Sequence, residues 1–203
     1  MWMTPVFLEL KNAIVGVAGL GGLGSNVAVA LARLGLGRLI IADFDVVENT
    51  NLNRQHYYLD QVGMAKVDAT VANLRRINPN IEIAAHRVRL TAENVPEVFA
   101  EAEVIAECFD RSEQKQMIVE TVLCRMKAPI VSVSGLAGYG RSNEIVTRRI
   151  SERLVLVGDG ESGARPGVPL TAPRVGVAAH HQANAILEIM LSNGRKRPSR
   201  SWK

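Results

Sequence analysis

Val15-Gly16-Val17-Ala18-Gly19-Leu20-Gly21-Gly22-Leu23-Gly24, followed by Asp43-Phe44-Asp45 after the next apolar run, is the stretch that decides how this chain folds. Ala13–Ala18 reads as a buried strand and Ser25–Leu36 as a helix. Gly19-x-Gly21-x-x-Gly24 therefore sits in the strand–turn–helix context of a phosphate-cradling loop. Glycine permits the tight turn and a close backbone approach, and the helix N-terminus offers unpaired N–H groups and partial positive charge. Asp43 follows the run Leu39–Ala42, where a carboxylate can hold ribose hydroxyls. The expectation is a nucleotide site.

Working outward, strand and helix signals alternate. Strands are expected at 14–18, 38–42, 81–87, 103–108 and 129–134, and helices near 22–35, 63–77, 92–101 and 112–126. Met64, Val67, Val71 and Leu74 fall on one face at helical spacing, and Asn78-Pro79 stops that helix. Short apolar strands alternating with helices imply βαβ units. The fold class is α/β: a Rossmann-like, doubly wound, mostly parallel sheet with an antiparallel C-terminal extension. That extension is expected from Glu144–Ile150, which alternates like a strand or hairpin. Asp159–Pro173, rich in Gly and Pro, reads as a long irregular loop of the kind that often carries function. A last apolar helix is expected from Val175 to Ser192. No internal repeat and no second domain are evident, so residues 1–203 read as a single nucleotide-binding domain.

Composition narrows the function classes. Of the 203 residues, 47% are apolar and 22% charged, which fits an ordinary globular domain. No apolar run approaches the roughly 18–20 residues needed to span a bilayer, and Met1–Asn12 lacks the pattern of a secretory signal. Cys108 and Cys124 form no CxxC pair, which argues for a reducing, cytoplasmic setting and against a structural zinc site. The formal charge is +4, but Arg195, Lys196, Arg197, Arg200 and Lys203 crowd a tail without acids, and without those five the charge would be −1. The 195–203 stretch reads as a solvated basic end, and neither nucleic acid nor membrane is an expected partner. His180 and His181 have no Cys or paired carboxylate nearby to make a metal site. There is no P-loop, no Gly-x-Ser-x-Gly elbow and no HExxH motif.

The glycine loop and Asp43 alone are shared with NAD-, NADP- and FAD-dependent oxidoreductases. The surroundings are more specific. Asp43-Phe44-Asp45 leads into Asn51-Leu52-Asn53-Arg54-Gln55, then Gly63-Met64-Ala65-Lys66, and Glu107-Cys108-Phe109-Asp110 ends a strand. Over residues 12–135 this order resembles the ubiquitin-activating-enzyme-like superfamily, the adenylating enzymes that activate ubiquitin-fold sulfur carriers. Gly158-Asp159-Gly160, Ala172-Pro173-Arg174 and the Ala179–Asn184 segment resemble its short ThiF-like subgroup, assigned to thiamine biosynthesis.

The resemblance implies an ATP-dependent adenylyltransferase acting on the C-terminal glycine carboxylate of a ubiquitin-like, ThiS-like sulfur carrier, with release of pyrophosphate. It implies that Gly19, Gly21 and Gly22 approach the ATP phosphates and that Asp43 holds the ribose, with Asp45 beside it. Asn51, Arg54 and Gln55 would contact the triphosphate, Lys66 would reach a phosphate oxygen, and Asp110 would hold Mg²⁺ bridging the phosphates. Arg54, Lys66 and Asp110 would carry the catalysis, and a homodimer is implied. Each residue also has a plainer reading. Arg54 and Lys66 could be surface charges, Asn51 a turn residue, and Asp110 a helix cap, since Asp110-Arg111-Ser112-Glu113 has capping-box spacing. Gly135, Gly138 and Gly140 could be hairpin turns or a seat for the carrier tail. Cys124, on a helix, reads as a small core residue, and Cys108 as packing at a strand end. Two departures stand out: no cysteine follows Cys124 to attach a carrier, and residues 1–13 contain no arginine to cross a dimer. The rival functions are a nicotinamide-dependent oxidoreductase, a non-catalytic binding module, and adenylation of another acid or action on a modified tRNA base.

Overall fold

In the computed structural model, residues 10–193 are described; the basic stretch 195–203 lies outside them. Seven strands form one sheet: β1 (Ile14–Ala18), β2 (Arg38–Ala42), β3 (Glu82–His86), β4 (Val104–Glu107), β5 (Ile130–Val133), β6 (Val146–Arg149) and β7 (Leu154–Gly158). The helices are α1 (Gly22–Arg33), α2 (Lys66–Ile77), α3 (Val95–Val98), α4 (Ser112–Arg125) and α5 (Ala172–Asn193). The strand order is β3-β2-β1-β4-β5-β7-β6, parallel throughout except for the antiparallel β6–β7 edge. The Rossmann-like α/β expectation, antiparallel extension included, is what the chain adopts.

The central strands read as near-continuous apolar runs because helices cover both of their faces. On one face Val27 and Leu31 of α1, Leu74 of α2 and Ile186 of α5 pack on Val15, Val17, Leu39 and Ile41. On the other, Phe99 at the end of α3 and Ile118 and Val122 of α4 pack on Ile40, Ile105 and Ile130. Phe99 is completely buried, and a residue of that size contributes about 1.5–3 kcal/mol by leaving water.

The differences from expectation have local causes. Helix α2 begins at Lys66, not 63, because the Met64 amide donates to the Gln61 carbonyl while the Met64 carbonyl accepts from Val47 N. Met64 is thus outside the helix and exposed. The expected 92–101 helix shrinks to Val95–Val98, since Asn94 spends its side chain on Thr91 N and the Arg89 carbonyl, closing a turn. β7 has no counterpart in the sequence reading. It adds parallel to β5 and pairs with β6, so the segment expected as a strand or hairpin at 144–150 is the first strand of a hairpin that ends at Gly158 and closes the sheet edge. Helix α5 begins three residues earlier than expected, at Ala172. Cys124 is exposed and not a core residue, because it lies off the buried face that Ile118 and Val122 present. Cys108 is buried at the end of β4 as expected. Among the described residues no helix is long and apolar enough to cross a membrane.

Candidate functional site

The strand order reverses between β1 and β4, the position where open α/β sheets leave a crevice at their carboxyl ends. A cleft of about 690 Å³ lies there, walled by the glycine loop, the ends of β2, β4 and β5, and the segment after β7. Gly19, Gly21, Gly22, Asp43, Asp45, Arg54, Gln55, Lys66 and Asp110 all line it. Asn51 does not.

The glycine loop is shaped by contact. Gly19 has φ +90°, and a Cβ on Gly24 would lie 1.8 Å from the Gly19 carbonyl oxygen, so neither position admits a side chain. Helix α1 starts at Gly22 with no side-chain cap and no acid in its first turn, which leaves its N-terminal amides open towards the cleft. Asp43 is buried and braces the loop from β2: Oδ2 accepts from Leu20 N at 2.6 Å and Oδ1 from Asp45 N at 2.8 Å. Each oxygen keeps a lone pair for a further donor.

The segment between β2 and α2 carries the cations. Asn51 caps a 3₁₀ turn, its Oδ1 accepting from Glu48 N while its own carbonyl accepts from Arg54 N and Gln55 N. It is therefore the turn residue that sets the direction of Arg54 and Gln55. Arg54 is half-buried; its Nη1 donates to the Thr50 carbonyl and Asn53 Oδ1, and its Nε and Nη2 are uncommitted among the described residues. Gln55 is buried, and its Oε1 has no partner among the described residues. Lys66 is also buried, at the first position of α2, with Nζ 3.1 Å from Oδ2 of the half-exposed Asp45. Asp110 stands exposed after β4. It does not cap α4, whose N-cap is Arg111 with no side-chain bond.

Three residues missed in the sequence staple the Arg54 segment to the glycine loop. Ser25 Oγ donates to the Gly21 carbonyl and accepts from His56 N. Asn26 Nδ2 donates to the Gly22 and Arg54 carbonyls. The Tyr57 hydroxyl donates to the Leu20 carbonyl at 2.8 Å, and burial raises its pKa so that it stays a neutral phenol. The available signal was two polar residues, Ser25 and Asn26, directly after the loop on an apolar helix.

The far wall was also missed. Glu107, fully buried at the end of β4, accepts from Phe109 N at 2.7 Å, Ser132 Oγ at 2.6 Å and Lys115 Nζ at 3.0 and 3.1 Å. Gln182 of α5 donates to the Glu107 and Val131 carbonyls, and Cys108 Sγ donates to its Oε1. Burial, then the Glu107 charge, raises the Cys108 thiol far above the thiolate range, so it is no nucleophile. After β7 the chain turns back along the cleft, latched by Asp159 and Arg174. Arg174 Nη2 lies 2.5 Å from Asp159 Oδ2, and Nη1 donates to the Gly140 and Arg141 carbonyls. Partial burial alone would raise the Asp159 pKa. The Ser162 hydroxyl and amide, the Glu161 amide and Arg174 outweigh it and hold the carboxyl well below its usual range. Gly138 N donates to the Pro169 carbonyl, and Thr171 Oγ1 donates to the Gly138 carbonyl, so the 135–140 glycines face this segment. His180 and His181 lie apart, bonded to the Gly176 carbonyl and Thr147 Oγ1.

The likenesses to known proteins follow this geometry. The adenylyltransferase and sulfurtransferase uba4 of Aspergillus niger is 37% identical over 135 residues, 66% of this chain and 28% of that protein. That of Kluyveromyces lactis is 36% identical over 135 residues, 66% of this chain and 30% of its own length. This chain therefore spans less than a third of these relatives. The E. coli tRNA N6-threonylcarbamoyladenosine dehydratase TcdA, solved in complex with ATP, superposes with a TM-score of 0.84 at 21% identity, covering 95% and 91% of the two chains. E. coli MccB, solved with AMPCPP and MccA, gives 0.69 at 25% identity, covering 91% and 57%. The ThiF family matches residues 2–202, nearly the whole chain, and the chain belongs to that family.

Proposed function

We propose that this chain is an ATP-dependent adenylyltransferase that activates the C-terminal glycine carboxylate of a ubiquitin-like sulfur carrier. The observation that carries this reading is the gathering of Arg54, Lys66 and Asp110 around one cleft with the glycine loop and Asp43. An oxidoreductase uses the loop and Asp43 but has no task for two cations and a rim carboxylate.

In this reading a carrier carboxylate oxygen attacks the α-phosphorus of ATP. An O–P bond forms to the acyl group, the bond from the α-phosphorus to the bridging oxygen breaks, and pyrophosphate leaves. No protein nucleophile is required. The chain must bring two anions together and hold the charge that builds on the phosphoryl oxygens, so positioning and electrostatics carry the rate. Gly21, Gly22 and the α1 amides receive phosphate oxygens. Asp43 takes the ribose hydroxyls on its spare lone pairs. Arg54 turns Nε and Nη2 to the triphosphate, and Lys66 adds a point charge fixed by Asp45. Gln55 stands beside Arg54 on the same wall.

The described residues hold no cluster of three or more His, Cys, Asp or Glu that could take a metal ion on its own. Asp110 fits a different arrangement: Mg²⁺ binds through one or two carboxylates plus phosphate oxygens and water, and so arrives with ATP. When bound, it would neutralise phosphate charge there. Within the superfamily we assign the carrier as ThiS-like, of thiamine thiazole biosynthesis, on the sequence resemblance at 158–160, 172–174 and 179–184, and the enzyme as a homodimer on the superfamily resemblance and as cytoplasmic on its unpaired cysteines.

ATP–pyrophosphate exchange with Mg²⁺, with and without a purified carrier ending in Gly-Gly, tests the reading. Exchange that requires the carrier and vanishes when its last glycine is removed is the expected result. Thermal protection by NAD but not by ATP–Mg²⁺ would overturn it in favour of an oxidoreductase.

A further inference from the structure

The cleft carries cations on both of its walls. Arg54 and Lys66 rise from the segment after β2, on the glycine-loop side. Lys115 lines the same cleft from the first turn of α4, beyond the end of β4. Nothing in the nucleotide reading uses it. Its side chain is 23% exposed, while the carboxylate that holds it, Glu107, is 0% exposed.

That carboxylate is already well supplied. Phe109 N and Ser132 Oγ donate to it, and Val133 N approaches at 3.5 Å. Glu107 therefore has hydrogen-bond donors besides Lys115. The ammonium in turn gives two of its three N–H groups to Glu107 Oε1 and Oε2, at 3.1 and 3.0 Å, leaving one donor for the cleft. The pair is neutral overall, fixed in direction, and set beside the backbone that leaves β5 at Ser134–Gly135.

A neutralised ammonium suits a carboxylate that must attack. A free cation would bind the carboxylate tightly and draw off the electron density needed for attack, stabilising the ground state as much as the transition state. A lysine whose charge is already balanced donates one oriented hydrogen bond and withdraws less.

We infer that Lys115, seated on the buried Glu107 carboxylate, is the group that holds and orients the acid substrate's terminal carboxylate at the β4–β5 side of the cleft. This rests on the adenylyltransferase reading and adds the residue that selects a free carboxylate.

The test uses the full chain with a non-hydrolysable ATP analogue bound. Calorimetric affinity is measured for a Gly-Gly-terminated carrier and for the same carrier with its C-terminus amidated. The wild type binds the free acid at least ten-fold tighter than the amide. Lys115→Gln removes that preference, Lys115→Arg restores most of it, and thermal protection by ATP–Mg²⁺ is the same in all three. In exchange assays Lys115→Gln raises KM for the carrier and leaves KM for ATP within two-fold. A Lys115→Gln protein that still prefers the acid over the amide overturns the inference and leaves the adenylyltransferase reading intact. A wild type that binds neither form of any carrier overturns both. Loss of ATP–Mg²⁺ protection in Lys115→Gln would assign Lys115 to the nucleotide or the fold, and also overturns the inference.

Discussion

The wall of the cleft built from β1, β2 and the loops around α1, together with the rim after β4, leaves Arg54 and Asp110 available. The wall built from β5, β7 and the segment before α5 consumes its charges internally. Arg54 is half-buried with two guanidinium nitrogens uncommitted, and Asp110 is exposed. Asp159 and Arg174, by contrast, are only 10% and 5% exposed and close on each other; Asp159 Oδ1 accepts from two loop amides and Arg174 Nη1 donates to two backbone carbonyls, while the buried Arg174 Nε has no partner among the described residues. One wall is shaped to receive anions. The other uses an ion pair to hold glycine-rich chain in place, where no regular hydrogen-bond ladder could do so. Charge in a cleft is thus not by itself a sign of binding; the uncommitted donor is.

Breaking the far wall should give the largest change in stability. Arg174→Ala leaves Asp159 as a buried carboxylate without its cation and the Gly140 and Arg141 carbonyls without donors. Removing one partner of a buried pair costs about 3–5 kcal/mol. Urea unfolding should show that loss, while the ATP–Mg²⁺ affinity per folded molecule changes little. A stable variant with lost ATP binding would reverse the comparison.

On the other wall the sign is opposite. Arg54→Ala, or Asp110→Ala, should lower carrier-dependent exchange by about 100- to 1,000-fold, in the range seen when one preorganised charge-stabilising group is removed. The unfolding midpoint should shift by less than about 0.5 kcal/mol, since neither side chain fills the core. Wild-type exchange in either variant would refute the role proposed for that residue.

How much of this was legible in the sequence follows the same division. β1, β2, β4 and β5 were readable because parallel strands buried on both faces must be apolar throughout, and because glycine and Asn-Pro punctuate the helices between them. β7 was not, although Leu154-Val155-Leu156-Val157 is as apolar as β1. It sits after Ser151-Glu152-Arg153 in a stretch whose alternation ends at Ile150, so its partner β6 absorbed the strand signal. Asp43 was readable from its spacing to the glycine loop, whereas Arg54, Gln55, Lys66 and Asp110 were legible only through the family resemblance of the motifs that carry them. Glu107, Lys115, Gln182 and Arg174 were not. Their meaning comes from burial and from partners up to 75 residues away, as for Gln182 and Glu107, and sequence spacing carries neither. Asn51 was read either as a triphosphate contact or as a turn residue; its Oδ1 accepts from Glu48 N in the turn that aims Arg54.

A smaller effect sharpens the boundary between the walls. Ser25→Ala removes a second donor to the Gly21 carbonyl, which keeps the residue-25 amide, and leaves the part-buried His56 N without its acceptor, at about 1–3 kcal/mol. Because those bonds join the glycine loop to the Arg54 segment, KM for ATP should rise several-fold more than KM for the carrier. An equal rise in both would mean that the staple serves the whole fold and not the nucleotide wall.

The smallest effect is in the pH dependence, and its sign is fixed by the direction of the Asp159 shift. The folded pKa is depressed, so Asp159 contributes stability that is fully present above the unfolded value of about 3.9 and is lost as pH falls through the folded value. Between pH 6 and 8 the gap in unfolding free energy between the wild type and Asp159→Asn should be constant. Below about pH 4 the wild type begins to take up the proton in the unfolded state, and the gap should narrow. Other carboxylates titrate in the same range, but they are common to both proteins and cancel in the difference. A gap that stays level down to pH 2.5 would mean that Arg174 is satisfied by the Gly140 and Arg141 carbonyls alone. The far wall would then be a hydrogen-bonded loop and not an electrostatic latch.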